Sequence, residues 1–236
     1  MTPVDPKRVL GHLSGGRVLD VATGSGGFVR FLLDGLQDHG EIVGIDASGE
    51  RAAAFEEAFG DRPDVHFEVM DAHRLAFPDA SFDTACISNS LHHLPDPAPV
   101  LAEMLRVLSP GGHLVVNEMY RDSQSHEQMT QVLLHHWWAA VNTVCGEVHR
   151  ATYRRAEIVA IVERLGLADL RLTDQADPDE DPHDPATVAE LEAAIDRHVA
   201  LADGHPELQR RGEELRVRLR VVGARSATQL VAIGRA

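Results

Sequence analysis

Over the first two thirds of the chain, short unbroken apolar runs alternate with stretches of helical periodicity. The runs are Arg17–Val21, Glu41–Ile45, Val65–Val69, Thr84–Ser88 and His113–Glu118, all of strand length. Strands buried on both faces read as continuous apolar segments rather than alternating ones. Between the runs lie Phe28, Phe31 and Leu32 after a glycine-rich turn, then Ala52–Ala54 and Phe59 stopped by Gly60. A third helical pattern, Val100, Leu101, Met104, Leu105 and Leu108, is closed by Pro110-Gly111-Gly112. This spacing predicts βαβ units and a parallel sheet.

The last third is patterned differently. Ser125-x-x-Gln128 is a capping-box pattern that opens a helix to about Val144, with Gly146 as its stop. A second helix is expected over about Tyr153–Leu165, carrying Ile158, Ile161, Val162 and Leu165. Asp169–Leu172 reads as a sixth strand. Asp174–Pro185, with six acids and three prolines, reads as a solvated loop. Two amphipathic helices follow, one with Val188, Leu191, Ile195 and Val199, the other with Leu208, Leu215, Leu219 and Val222. Gln229–Ile233 reads as a closing strand. The helical pair, about 186–222, is open to two readings, a lid or a dimer surface.

Composition narrows the class of ligand. The chain has 236 residues, a length that suits one domain with an insertion. Its 22 Lys+Arg against 37 Asp+Glu give a net charge of −15. Such a surface argues against binding nucleic acid or anionic lipid and for a small-molecule or cationic ligand. Two cysteines, Cys86 and Cys145, make neither a disulfide framework nor a zinc cluster, and Cys86 reads as core. Met1–Arg8 has no apolar signal core, and no apolar run approaches the ~18 residues of a membrane span. The expectation is a soluble, acidic, cytoplasmic protein.

Four features fall at the carboxyl ends of successive strands, where open α/β sheets bind ligands. They are the loop Asp20-Val-Ala-Thr-Gly24-Ser-Gly26-Gly27, Asp46, the pair Asp71-Ala72, and Ser88-Asn-Ser-Leu-His-His93. The glycines let a ligand approach backbone closely, and a carboxylate at Asp46 suits two ribose hydroxyls. A nicotinamide dinucleotide would call for glycine at the third position of G-x-G-x-x-G, where Val29 stands.

These residues resemble the class I S-adenosylmethionine-dependent methyltransferases, in particular the small-molecule group. The matching stretches are Val18–Gly26, Ile42–Asp46, Met70–Ala72, Phe77–Asp83, Leu91–Asp96 and Leu105–Gly112, in the family's order and spacing over roughly residues 15–120. One departure is Ala22, where the family often has glycine; as a small residue it is expected to matter little. The resemblance implies an α/β fold, a doubly wound Rossmann-like sheet of seven strands. It implies a cofactor-binding core over 1–120, a helical substrate-side cap over 121–166, and final strands over 167–236 interrupted by the helical pair. The loop Asp20–Gly26, including Ala22, Thr23 and Gly24, would hold the methionine portion of S-adenosylmethionine. Asp46 would bind the ribose, and Ala47 beside it is counted with the cofactor residues. Asp71 and Ala72 would meet the adenine, and Ser88 and Asn89 the sulfonium and amino group.

The acceptor side is less constrained. Of 14 histidines, His126, His135, His136 and His149 share one segment with Trp137, Trp138 and Glu147. Methyl transfer mainly needs alignment, and a base only where the acceptor must lose a proton. His149, His93 and Glu118 are the catalytic candidates, and His135, His136 and Trp137 the substrate-binding ones; core packing is the competing reading for the helix. His135, His136 and His149 with Glu118 or Glu147 could supply metal ligands. Adjacent helical histidines diverge by ~100°, however, so no metal is expected. The resulting expectation is methyl transfer to O, N or C of a small metabolite, leaving S-adenosylhomocysteine. Alternatives are a non-catalytic cofactor-binding subunit, or a methyltransferase acting on a macromolecule. An Asn/Asp-Pro-Pro-Tyr motif is missing after strand four, and the negative charge disfavours nucleic acid.

Overall fold

The computed structural model describes residues 6–177 and 179–236; Met1–Asp5 and Pro178, on which parts of the terminal and acidic-loop readings fall, lie outside the described residues. Seven strands, β1 (Arg17–Val21), β2 (Glu41–Asp46), β3 (Val65–Val69), β4 (Phe82–Ser88), β5 (Leu108–Met119), β6 (Ala168–Gln175) and β7 (Gln229–Arg235), form one sheet in the order β3-β2-β1-β4-β5-β7-β6. The first five run parallel, and β7 lies antiparallel between β5 and β6. This is the expected doubly wound α/β fold. The strand order reverses between β1 and β4, the place where such sheets open a ligand crevice.

Among the described residues eight α-helices accompany the sheet: α1 (Pro6–Leu10), α2 (Gly27–Gly35), α3 (Ala52–Phe59), α4 (Pro97–Val107), α5 (Gln128–Val144), α6 (Arg155–Glu163), α7 (Pro185–Leu201) and α8 (Pro206–Val222). Successive strand residues point to opposite faces. Val18, Ile42, Cys86 and Val115 pack against α1, α2 and α3 through Leu10, Val29, Leu32, Phe55 and Phe59. Leu19, Val43, Ala85 and Leu114 pack against α4 and α6 through Val100, Leu101, Met104 and Val162. Local signals start the helices where the chain needs them. Asp96 accepts from the Ala98 amide with Pro97 at the first helical position, and Asp184 accepts from the Thr187 amide ahead of α7. The capping box is present in both directions: the Gln128 amide donates to Ser125 Oγ at 3.2 Å, and the Ser125 amide to Gln128 Oε1 at 2.9 Å.

Several boundaries differ from the sequence reading, two of them by more than two residues. β6 runs to Gln175 rather than Leu172, so Asp174 and Gln175 belong to a strand and not to the acidic loop. As an edge strand paired only to β7, it exposes alternate residues and tolerates polar ones. β5 begins at Leu108 and takes in Pro110–Gly112, with a register shift where Phe82 and Thr84 of β4 face it.

Helices α5, α7 and α8 make a separate apolar layer around Leu134, Trp137, Val141, Ile195, Leu215 and Leu219, whereas α6 lies on the sheet. No helix among the described residues is long and apolar enough to cross a membrane. At Gly212 of α8 a Cβ would run into the Trp137 indole and Val199. Gly212→Ala is therefore expected to cost about 1–3 kcal/mol of stability through overpacking, despite alanine's better helix propensity. Urea unfolding of the variant beside the wild type measures this.

Candidate functional site

Two cavities open at the carboxyl edge of the sheet and meet at Ala22 and Ser90, which line both. The larger, about 670 Å³, lies over the β1 loop and the ends of β4, β5, β6 and β7. The smaller, about 430 Å³, runs over Asp46, Ala47, Met70, Asp71 and Ala72 to His93 and Leu94. Together they form one elongated cleft across the point where strand order reverses.

The glycine loop is pinned from below and from beside. Gly26 has φ +81, and a Cβ there would collide with the rings of Phe55 and Phe59. Gly24 has φ +57 and open space around it, and its amide donates to Asp46 Oδ2 at 3.0 Å. The Ser48 amide donates to Asp46 Oδ1 at 3.2 Å, while Ser48 Oγ, not Asp46, accepts from the Glu50 amide to start the following turn. Asp46 keeps lone pairs for further donors from the cleft. Ala22 sits at φ +57, a left-handed conformation that costs a residue with a Cβ roughly 1–2 kcal/mol. The departure from glycine there concerns backbone strain as well as size.

Asp20 lies at the floor of the larger cavity and is 1% exposed. Thr23 Oγ1 donates to its Oδ2 at 2.7 Å, and its Oδ1 has no polar partner. Burial pushes this carboxyl up to about 7, against the Thr23 bond and with Asp46 adding repulsion. This unpartnered oxygen belongs to a residue that lines the same cavity as the glycine loop. Farther along, the backbone amide and Nδ1 of His73 both lie 2.9 Å from Asp71 Oδ1, which holds Asp71 below the usual carboxylate range. Ser88 Oγ accepts from Asn117 Nδ2 at 2.9 Å, and Asn89, at φ +46, accepts the Met119 amide on its Oδ1 at 2.9 Å.

The acceptor-side candidates are placed differently from expectation. Glu118 is 0% exposed and faces the turn after β4, not the cleft. Its Oε2 accepts from the Leu91 amide at 3.0 Å and its Oε1 lies 2.5 Å from His92 Nδ1. Trp137 points into the α5–α7–α8 layer, where its indole donates to the Leu208 carbonyl at 2.8 Å; its large apolar ring is spent on packing and not on a substrate wall. His136 bonds Thr152 Oγ1 at 2.9 Å. His135 and His149 line neither cavity; they meet His92 instead, at 2.8 Å from His92 Nε2 to His135 Nε2 and 3.0 Å from His135 Nε2 to His149 Nε2. His149 Nδ1 is 3.2 Å from Asn142 Nδ2. Burial, then the neighbouring charge at His92, lowers His135 well below the usual imidazole range and His149 to about 4. Of the three catalytic candidates, only His93 lines the cleft.

Asn117, Gln175 and Gln229, which the sequence reading did not single out, form the far wall of the larger cavity. Asn117 Nδ2 donates to Gln229 Oε1 at 2.6 Å and Gln175 Nε2 to Asn117 Oδ1 at 2.9 Å, while Gln175 Oε1 has no partner. Asn117 was accessible to the strand-end rule, being next to Glu118. Gln229 was not, because antiparallel β7 brings its first residue to the same edge.

Residues 19–116 match the methyltransferase-domain family. A demethylmenaquinone methyltransferase of Beutenbergia cavernae is 43% identical over 109 residues, covering 46% of this chain and 43% of that protein. The chain spans about half or less of the length of the curated relatives it matches. An S-adenosylmethionine-dependent methyltransferase from Mesorhizobium loti superposes with a TM-score of 0.57 at 19% identity, covering 98% of this chain and 95% of that one. The 4+2 cyclase SpnF superposes at 0.64 with 22% identity, covering 98% and 77%. The fold is thus that of the class I methyltransferases, and residues 19–116 match a methyltransferase domain.

Asp20 gives a test of the electrostatics. Its folded value of about 7 lies above the 3.8 of an ordinary aspartate, so the native state keeps a proton that the unfolded chain has lost. Stability from this group is therefore lost as pH rises from about 4 to about 7. Asp20→Asn removes that loss. Urea unfolding at pH 5 and pH 8 should show the variant gaining on the wild type at the higher pH.

Proposed function

We propose that this chain transfers the methyl group of S-adenosylmethionine to an O, N or C atom of a small molecule held in the larger cavity. The observation that carries this reading is the unpartnered Oδ1 of Asp20 beneath the open glycine loop, continuous with the cleft over Asp46 and Asp71. In this reading Asp20, Ala22, Thr23, Gly24 and Gly26 hold the amino-acid end of the cofactor. Asp46 and Ala47 take the ribose, Asp71 and Ala72 the adenine edge, and Ser88 and Asn89 border the reacting centre.

The sulfonium supplies an activated methyl group and leaves as a neutral thioether. The protein's task is then alignment and exclusion of water. The amides of Asn117, Gln175 and Gln229 form an uncharged polar wall that orients an acceptor, and Phe28 and Phe31, stacked at 5.5 Å, give the cavity an apolar side. The match to the quinone methyltransferase of Beutenbergia cavernae covers 46% of this chain, so the acceptor is argued from the cavity and not from that enzyme's name.

Calorimetric titration with S-adenosylhomocysteine, run beside NAD, tests the reading without knowledge of the acceptor. Micromolar binding of the former alone is expected, with a proton released below pH 7 as Asp20 ionises against the ligand's ammonium. Asp46→Ala should weaken binding by roughly 1.5–3 kcal/mol, the worth of hydrogen bonds to a charged group. Absence of binding would overturn the proposal in favour of a partner subunit without catalysis.

A further inference from the structure

Beside the cleft, which His93 also lines, four imidazoles from three separate segments converge. His92 and His93 come from the turn after β4, His135 from α5, and His149 from the segment between α5 and α6. One ligand-capable nitrogen from each lies within 4.8 Å of the other three. Three of them meet Nε2 to Nε2, at 2.8 and 3.0 Å. The rings of His93 and His149 are tilted against each other, with centroids 4.1 Å apart and planes 33° apart.

Hydrogen bonding alone satisfies this arrangement poorly. A neutral imidazole nitrogen has a single in-plane site, either a proton or a lone pair. His135 Nε2 faces two other ring nitrogens with that one site, so only one contact can be a well-formed bond. A cation at the centre would meet all the lone pairs together. Four imidazole nitrogens around an ion at ~2.0–2.1 Å stand about 3.3 Å apart; two contacts here are somewhat shorter, at 2.8 and 3.0 Å, within a set no wider than 4.8 Å.

We infer that His92, His93, His135 and His149 form a binding site for one divalent transition-metal ion, of the zinc, cobalt or nickel class. An all-imidazole set suits these borderline ions and not magnesium or calcium, which take oxygen ligands. Glu118 acts as the outer partner. By accepting from His92 Nδ1–H it fixes the tautomer that presents Nε2 inward, the carboxylate–histidine–metal arrangement. His149 is set to do likewise through Asn142, whose amide turns to accept from Nδ1–H when Nε2 takes the ion. Any proton on a liganding nitrogen passes to solvent as the metal–nitrogen bond forms. His93 is the exposed member and gives the entry path.

The diverging-histidine argument from sequence does not apply here. It concerned His135 with His136, whereas His135 is joined by partners from two other segments. The ion would fasten the α5 segment to the turn that borders the cofactor cleft, since the Arg150 amide already donates to the His92 carbonyl at 3.1 Å.

The test uses the full chain without a histidine tag, stripped with a chelator and titrated with Co²⁺. One ion per chain with the visible absorption of a four-coordinate cobalt site is expected, displaced by Zn²⁺ and unaffected by Mg²⁺. Zn²⁺ should also raise the unfolding temperature. His135→Asn and His149→Asn should abolish the cobalt spectrum, while His136→Asn keeps it. Glu118→Gln should lower metal affinity ~10–100-fold, the usual worth of an outer partner. Failure of the wild type to bind Co²⁺ stoichiometrically would overturn the site and leave the imidazoles as a proton-sharing chain ending on Glu118. Retention of the spectrum in folded His135→Asn and His149→Asn would overturn it equally. If those variants do not fold, the wild-type stoichiometry and spectrum decide.

Discussion

One buried carboxylate organises the functional half of this molecule. Glu118, at 0% exposure near the end of β5, holds the Leu91 amide with one oxygen and His92 with the other. A polar group so deeply buried is tolerated only when hydrogen-bonded, and leaving one without its partners typically costs ~1–3 kcal/mol or more. The clamp fixes the turn after β4. That turn contributes Ser88, Asn89, Ser90 and His93 to the cleft on one side and His92 to the imidazole cluster on the other. Two assemblies therefore share one support.

The parallel half of the sheet was legible because its strands are buried on both faces and leave unbroken apolar runs. Asp20, Asp46, Asp71 and Ser88 could be read as cleft residues because they sit at or near strand ends, where backbone geometry and not packing decides the residue. β6 was shortened in the sequence reading because an edge strand paired on one side carries Asp174 and Gln175 without penalty. Trp137 was misplaced because helical periodicity shows that a face is apolar but not what covers it; α8, some 70 residues later, does so. Glu118 was assigned to an acceptor because a strand end can face a cleft or a neighbouring turn, and only the fold chooses. The imidazole cluster was hidden because its members reach one another across separations of 14 and 43 residues.

In the proposed reading, the cofactor and acceptor sides also differ in how they are built. The cofactor side is backbone-rich: glycine amides, left-handed residues and carboxylates that bind amides as readily as ligands. The acceptor side rests on side chains of β5, β6 and β7, and on a wall of amides. The same fold carries methyl transfer in one solved relative and a cycloaddition in another, so chemistry on it is decided by such side chains.

The antiparallel insertion of β7 has a consequence for synthesis. Asn117 on β5 and Gln229 on β7 are 112 residues apart, yet they bond directly. As the chain leaves the ribosome, β1 to β5 can pair in order, but the outer edge of β5 has no lasting partner until β7 arrives. In the meantime that edge presents unpaired amides and carbonyls between Leu114 and Val116, both buried in the finished fold. A nascent chain in this state is exposed to misassociation for the time taken to translate four further helices and β6, and a chaperone that shields sheet edges would act in this interval.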